Sequence, residues 1–114
     1  MKKVFCFDID NTICFTKGVD YRLSRPKKKI IKLINNLFES GHTIKIFTAR
    51  YMGRNNENIK KAKKQGYNFT YKQLKKWNLK FHKLIFGKPT FDFMIDDKSI
   101  DFKINFQKKL KKFL

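Results

Sequence analysis

Asp8 and Asp10 stand one residue apart at the end of the apolar run Val4-Phe5-Cys6-Phe7, and Thr12 follows two residues later. An apolar run of this length, bounded by polar residues, reads as a buried strand. The two carboxylates then sit where that strand ends, with their side chains freed from the sheet by the turn. Crowding two negative charges there is unfavourable unless a cation or a proton relieves the repulsion. The pair asks for a divalent metal.

Three more polar clusters follow apolar runs. Thr48-Ala49-Arg50 closes Thr43 to Phe47, Gly87-Lys88-Pro89 closes Lys83 to Phe86, and Asp96-Asp97 closes Phe91 to Ile95. Each has a plain reading: paired aspartates cap helices, Gly-Lys-Pro is a turn by composition, and Asp96-Asp97 suits a solvated loop. As a set they supply what phosphoryl transfer requires. Asp8, Asp10, Thr48, Lys88, Asp96 and Asp97 offer a carboxylate nucleophile, a second carboxylate for proton transfer, phosphate-oxygen donors and metal ligands.

The elements that must position these groups are legible as periodicities. Ser24-Arg25-Pro26 offers a helix start, Ile30, Ile31, Leu33, Ile34, Leu37 and Phe38 recur at helical spacing, and Gly41 supplies the stop. Asn55 to Gln65 is a second helical stretch closed by Gly66, and Tyr71 to Trp77 a short third. Four strands alternating with helices predict an α/β fold whose parallel sheet is covered on both faces. Ligands of such sheets bind outside the carboxyl ends of the strands, so the four clusters converge. The tail is ambiguous. Ile100, Phe102, Ile104 and Phe106 alternate like a strand, whereas Phe106, Leu110, Phe113 and Leu114 follow helical spacing, and packing back onto the sheet is favoured over a membrane contact.

Composition sets the bounds. The 114 residues suffice for one domain from 1 to 114, and no apolar run approaches the roughly 20 residues of a membrane span. A signal peptide would place the carboxylate pair inside its apolar region, so a cytoplasmic location is expected. Cys6 reads as a small buried strand residue, and two cysteines at this spacing make neither a disulfide nor a zinc site. The 28 Lys and Arg against 9 Asp and Glu give a net charge of +19, which would steer anionic substrates inward or serve solubility. The excess is almost all lysine spread along the chain, which argues against a dedicated nucleic-acid surface.

The chain resembles the haloacid dehalogenase superfamily of phosphohydrolases. Asp8-Ile9-Asp10-Asn11-Thr12 looks like its first motif, Thr48 its second, Lys88 its third and Asp96-Asp97 its fourth. The blocks Phe47-Thr48-Ala49-Arg50, Phe86-Gly87-Lys88-Pro89 and Ile95-Asp96-Asp97-Lys98 resemble small phosphatases of bacterial capsule and surface-polysaccharide biosynthesis. The resemblance implies a Rossmann-like core and two-step hydrolysis of a phosphomonoester such as a sugar phosphate. Asp8 would be the nucleophile, Asp10 the acid and base, Thr48 a phosphoryl donor and Lys88 a neutralising cation. Mg2+ would be held by the Asp8 carboxylate, the Asp10 main-chain carbonyl and Asp96, with Asp97 a further ligand or an outer partner. Thr12, Thr48, Ala49, Arg50 and Lys88 would line the substrate side, Arg50 as an anion or hydroxyl contact. His42, His82 and Lys98 have no required role.

The gaps from Thr12 to Thr48 and from Thr48 to Lys88 hold no separate cap domain. A capless site is open, and could accept a bulky substrate or borrow a lid from a second subunit. Two other readings compete: a nucleotide or nucleic-acid end phosphatase with the same mechanism, and a binding module without turnover. No motif residue is missing, so nothing in the sequence favours the module.

Overall fold

The computed structural model describes residues 1–103 and 105–114. The chain runs β1 (Val4–Phe7), β2 (Cys14–Phe15), β3 (Arg25–Pro26), α1 (Lys28–Glu39), β4 (Thr43–Thr48), α2 (Ile59–Lys76), β5 (Lys83–Phe86) and α3 (Phe106–Lys111). β1, β4 and β5 form a parallel sheet with β4 in the middle. Phe7 lies opposite Ile46, and Thr48 opposite Phe86, so all three strands end at one edge of the sheet. β2 and β3 form a separate two-residue antiparallel ribbon.

Helix α1 follows its apolar stripe. Ile30, Ile31, Leu33, Ile34 and Leu37 are all buried, and each fully buried aliphatic side chain contributes about 1.5–3 kcal/mol. β4 alternates between buried and half-buried positions, with Ile44, Ile46 and Thr48 on the inner face. The helix starts later than Ser24-Arg25-Pro26 suggests. Arg25 and Pro26 pair with Phe15 and Cys14 instead, and the Lys27 N–H donates to the Ile13 carbonyl at 2.9 Å. The chain therefore turns helical only at Lys28.

Gly66 does not end a helix. α2 runs through it for 18 residues, merging the two helical segments read from the sequence. The reason is tertiary: a β-carbon at Gly66 would lie 2.1 Å from the Tyr51 ring, so the missing side chain makes room for that ring against the helix. Packing, not termination, explains this glycine.

The expected fourth strand is absent among the described residues. Phe91 to Ile95 forms no ladder, and residues 91–100 are all exposed. Four residues, Gly87 to Thr90, separate β5 from this segment. A further parallel strand needs a crossover of a dozen residues or more to bring the chain back to the start of the sheet. The apolar pattern is present, but its own connection is too short for the parallel strand that the pattern suggests.

Cys6 also departs from expectation. β1 leaves Val4 and Cys6 exposed on one face, while Phe7 on the other is buried. Both cysteines are free thiols. The tail takes the helical reading as α3, with Phe106 and Leu110 buried and the Phe113 ring 5.2 Å from that of Phe5 on β1. Ile104, part of the alternating reading, lies outside the described residues. His42 and His82 are structural: His42 Nδ1 accepts from the Lys3 N–H, and His82 Nδ1 from the Ile44 N–H, both at 3.0 Å. No helix among the described residues is long and apolar enough to cross a membrane.

Candidate active site

Past β1 the chain makes a tight turn that fixes both carboxylates. The N–H groups of Thr12 and Ile13 donate to the Ile9 carbonyl at 3.1 and 2.8 Å, and Asn11 takes the left-handed conformation with φ 60°. Asparagine tolerates that region better than most residues. Ile9 and Ile13 are fully buried, so they pin the turn to the core while Asn11 between them is exposed.

Asp8 is held at both oxygens. Thr12 Oγ1 donates to Oδ2 at 3.2 Å, and Lys88 Nζ stands 3.4 Å from Oδ1. The Lys88 side chain is largely covered, whereas that of Asp8 is 34% exposed. Lys88 reaches this place because its own N–H donates to the Thr48 carbonyl at 3.2 Å, tying the loop after β5 to the end of β4. A partly open carboxylate with a cation beside it can approach an electrophile without losing the ion pair.

Asp10 is held more firmly. Arg50 Nε donates to Oδ2 at 2.9 Å and Nη2 to Oδ1 at 2.8 Å, a bidentate fork. Thr16 Oγ1 donates to Oδ1 at 2.6 Å. Arg50 is 1% exposed, and it is neither a surface arginine nor a group facing solvent to meet an anion. Its Nη1 donates to Gln73 Oε1 at 2.7 Å and to Thr70 Oγ1 at 3.4 Å, and its guanidinium carbon lies 4.6 Å from the Tyr21 ring centre. Such charge-assisted, bidentate bonds are the strong class of protein hydrogen bond.

Thr48 ends β4 almost wholly buried, and its Oγ1 accepts from the Arg50 N–H at 3.1 Å. Ala49 is partly buried and packs against the core. Asp96 and Asp97 are both exposed and bond only locally: Asp96 Oδ1 accepts the Lys98 N–H at 3.1 Å, and that bond together with Asp97 holds the Asp96 carboxyl below its usual range. Among the described residues no three His, Cys, Asp or Glu side chains form a group that could hold a metal ion. The structure thus brings Asp8, Asp10, Thr12, Thr48, Arg50 and Lys88 together and leaves Asp96 and Asp97 outside.

Three partners of this site carry no sequence signal strong enough to single them out. Thr16, Thr70 and Gln73 lie in polar stretches, and only the spacing of Thr70 and Gln73, neighbours on one helical face, hints at a shared partner. Buried Cys14 closes the back of the site, with burial pushing its thiol pKa up from 9.0 while the Thr16 hydroxyl partly opposes the shift. A basic groove of about 680 Å³ is lined by Phe15, Lys27, Phe102 and Lys111 among others, and Lys27 Nζ donates to the Asn11 carbonyl in the turn after β1 at 3.5 Å. Lys27 Nζ lies 4.6 Å from the Phe15 ring and 4.7 Å from that of Phe102.

No family model matches this chain, and no curated protein matches it in sequence. A crystal structure of a structural-genomics target from Vibrio cholerae is similar to it, with 25% identity and a TM-score of 0.85 over 99% of this chain and 96% of the other. The likeness is one of fold. Both chains share a small α/β architecture along nearly their whole length.

Proposed function

We propose that this protein is a capless phosphomonoester hydrolase of the haloacid dehalogenase type, acting through an aspartyl-phosphate on a sugar phosphate or similar small phosphometabolite. The observation that carries the proposal is Asp8. It is a partly exposed carboxylate with Lys88 at one oxygen and Thr12 at the other, beside a second carboxylate immobilised by Arg50. The motif resemblance supports the same roles.

In this reading an Asp8 oxygen forms a bond to phosphorus as the bond to the leaving alcohol breaks. Asp10 enters this step protonated, with one oxygen released from the Arg50 fork, gives that proton to the alcohol and takes one back from the water that attacks the aspartyl-phosphate. Inorganic phosphate leaves and Asp8 is restored. Lys88 offsets charge on the nucleophile and on the phosphoryl oxygens, where a fixed cation in a sheltered site contributes most. Arg50 holds the Asp10 carboxyl in place, so it is a positioning residue.

Mg2+ belongs to the proposal, and the residues of one chain fit it only in part. The ion takes hard oxygen ligands in near-octahedral geometry and keeps several waters. Asp8 offers such a ligand, and Asp10 can add only its main-chain carbonyl because both its side-chain oxygens are engaged by Arg50, while Asp96 and Asp97 join no group of three carboxylates there. When bound, the ion would shield the phosphoryl charge.

The basic, aromatic groove beside the site favours one alternative, a nucleotide or nucleic-acid end phosphate whose base or backbone would lie there. A panel of sugar and nucleotide monophosphates, assayed with Mg2+, tests the proposal. Hydrolysis by the wild type, lost in Asp8→Asn, is the expected result. A wild type inactive on every monoester, or an Asp8→Asn variant that keeps its activity, overturns it.

A further inference from the structure

The sheet has one edge that is open in a particular way. Among the described residues nothing pairs with the side of β1 away from β4. That strand exposes Val4 and Cys6, and it is the strand that ends at Asp8. Elsewhere the same chain carries an exposed apolar segment with strand character, Phe91-Asp92-Phe93-Met94-Ile95, in which Phe93 is 88% and Ile95 98% exposed. An open ladder and an unpaired strand-like segment in one molecule are complementary surfaces. The outer edge of β5 is a poorer host, because it lies two strands away from the carboxylates.

Chain length decides how the two can meet. To lie parallel to its own β1, the segment would have to cross three strand spacings, about 14 Å, and return about 17 Å along the strand axis, because Phe86 is level with Thr48 and Val4 with Thr43. The five Cα steps from Phe86 to Phe91 reach only about 18 Å when fully extended, short of the roughly 22 Å that separates the two places. Antiparallel pairing would fit the reach but carry Asp96 and Asp97 to the far end of the sheet. Only the β1 of another molecule can take the segment in parallel register.

Charge points the same way. From residue 91 to residue 101 the chain holds Asp92, Asp96, Asp97 and Asp101 against the single Lys98, so four of its nine acidic residues fall in this arm of a protein with net charge +19. An acidic arm and a strongly basic body attract between copies as well as within one.

We propose that the active site is completed by a second copy of this chain: the arm from Phe91 to Asp97 of one molecule adds in parallel to the free edge of β1 of its partner and delivers Asp96 and Asp97 to that partner's Asp8 and Asp10. The exchange is reciprocal, giving a two-fold dimer with two composite sites and a short hinge at Gly87 to Thr90. The placement of a metal half-site on the arm rests on the hydrolase reading; the arm exchange does not.

Two measurements test the two parts separately. Sedimentation of the wild type should give twice the 13.8 kDa chain mass, and Met94→Pro, which removes a ladder donor, should give a monomer whose circular dichroism keeps the helical signal. A wild type that stays monomeric at about 100 µM, or a Met94→Pro variant that stays dimeric, overturns the exchange whether or not the protein hydrolyses phosphate. Activity then tests the composite site. Asp8→Asn and the double variant Asp96→Asn/Asp97→Asn should each be inactive, yet unfolding and refolding them together at equal amounts should restore about a quarter of the wild-type rate, since half the dimers then hold one intact site. A mixture as inactive as its components, beside an active wild type, overturns it.

Discussion

Arg50 and Asp10, 40 residues apart in sequence, meet through a bidentate fork with contacts of 2.8 and 2.9 Å. The arginine is buried, and its remaining donors are used by Gln73 and Thr70 on α2. The pair therefore ties the turn after β1, the end of β4 and the middle of α2 into one unit. Removing one partner of such a pair strands the other charge away from water. Arg50→Met should lower unfolding stability by about 3 kcal/mol, read from denaturant midpoints. Arg50→Lys should recover less than half of that, because an ammonium cannot reproduce the fork. Adding Asp10→Asn to Arg50→Met should cost less than the separate losses summed, and strict additivity in that cycle would show the pair to be uncoupled.

Lys88 and Asp8 make a different kind of pair, looser at 3.4 Å and open on the carboxylate side. Lys88→Met should change stability little, since the lysine main-chain bond to Thr48 survives the substitution. Turnover is where the loss should appear, with kcat reduced about 100- to 1000-fold, the usual loss when a single preorganised charge donor is removed. A variant with wild-type kcat and only a raised KM would reduce Lys88 to a binding group.

Much of this arrangement was legible where the signal is local. α1 and β4 follow their apolar periods, β5 matches its apolar run, and Asp8, Thr48 and Lys88 fall at or just past strand ends as strand placement requires. What the sequence hid is non-local. The partner of Arg50 is 40 residues away, and nothing in Thr-Ala-Arg says that its side chain turns inward. The ribbon of β2 and β3 is two residues deep, too short to leave a period. The segment from Phe91 to Ile95 has the pattern of a strand, but whether it can pair in parallel depends on the length of the connection before it. Local pattern and chain reach disagreed there, and reach prevailed.

Gly66 offers a sharp test of that kind of override. In an exposed helix, Gly→Ala gains about 1 kcal/mol from helix propensity. Here the new methyl would enter the space of the Tyr51 ring, 2.1 Å away. Gly66→Ala should therefore destabilise the protein by about 1–3 kcal/mol through overpacking. The same substitution in a Tyr51→Ala background should instead stabilise it. A stabilising Gly66→Ala in the wild-type background would mean that the ring packs elsewhere.

The substrate class can be read from salt. A sugar phosphate brings one phosphate to the site and carries no condensed counterion atmosphere to release. Its KM should then rise by no more than about threefold between 50 and 200 mM salt, through screening alone. A nucleic-acid end would also lie along the groove of Phe15, Lys27, Phe102 and Lys111. Several phosphates would be neutralised there, and KM should rise about 100-fold or more over the same range. Lys111→Glu separates the cases further. That lysine lies on α3 and makes no contact with Asp8 or Asp10, so a sugar phosphate should be turned over as before while a polyanionic substrate loses affinity and part of its salt slope. A shallow slope that Lys111→Glu leaves unchanged assigns the protein to small phosphometabolites, and a steep one that it flattens assigns it to nucleic-acid ends.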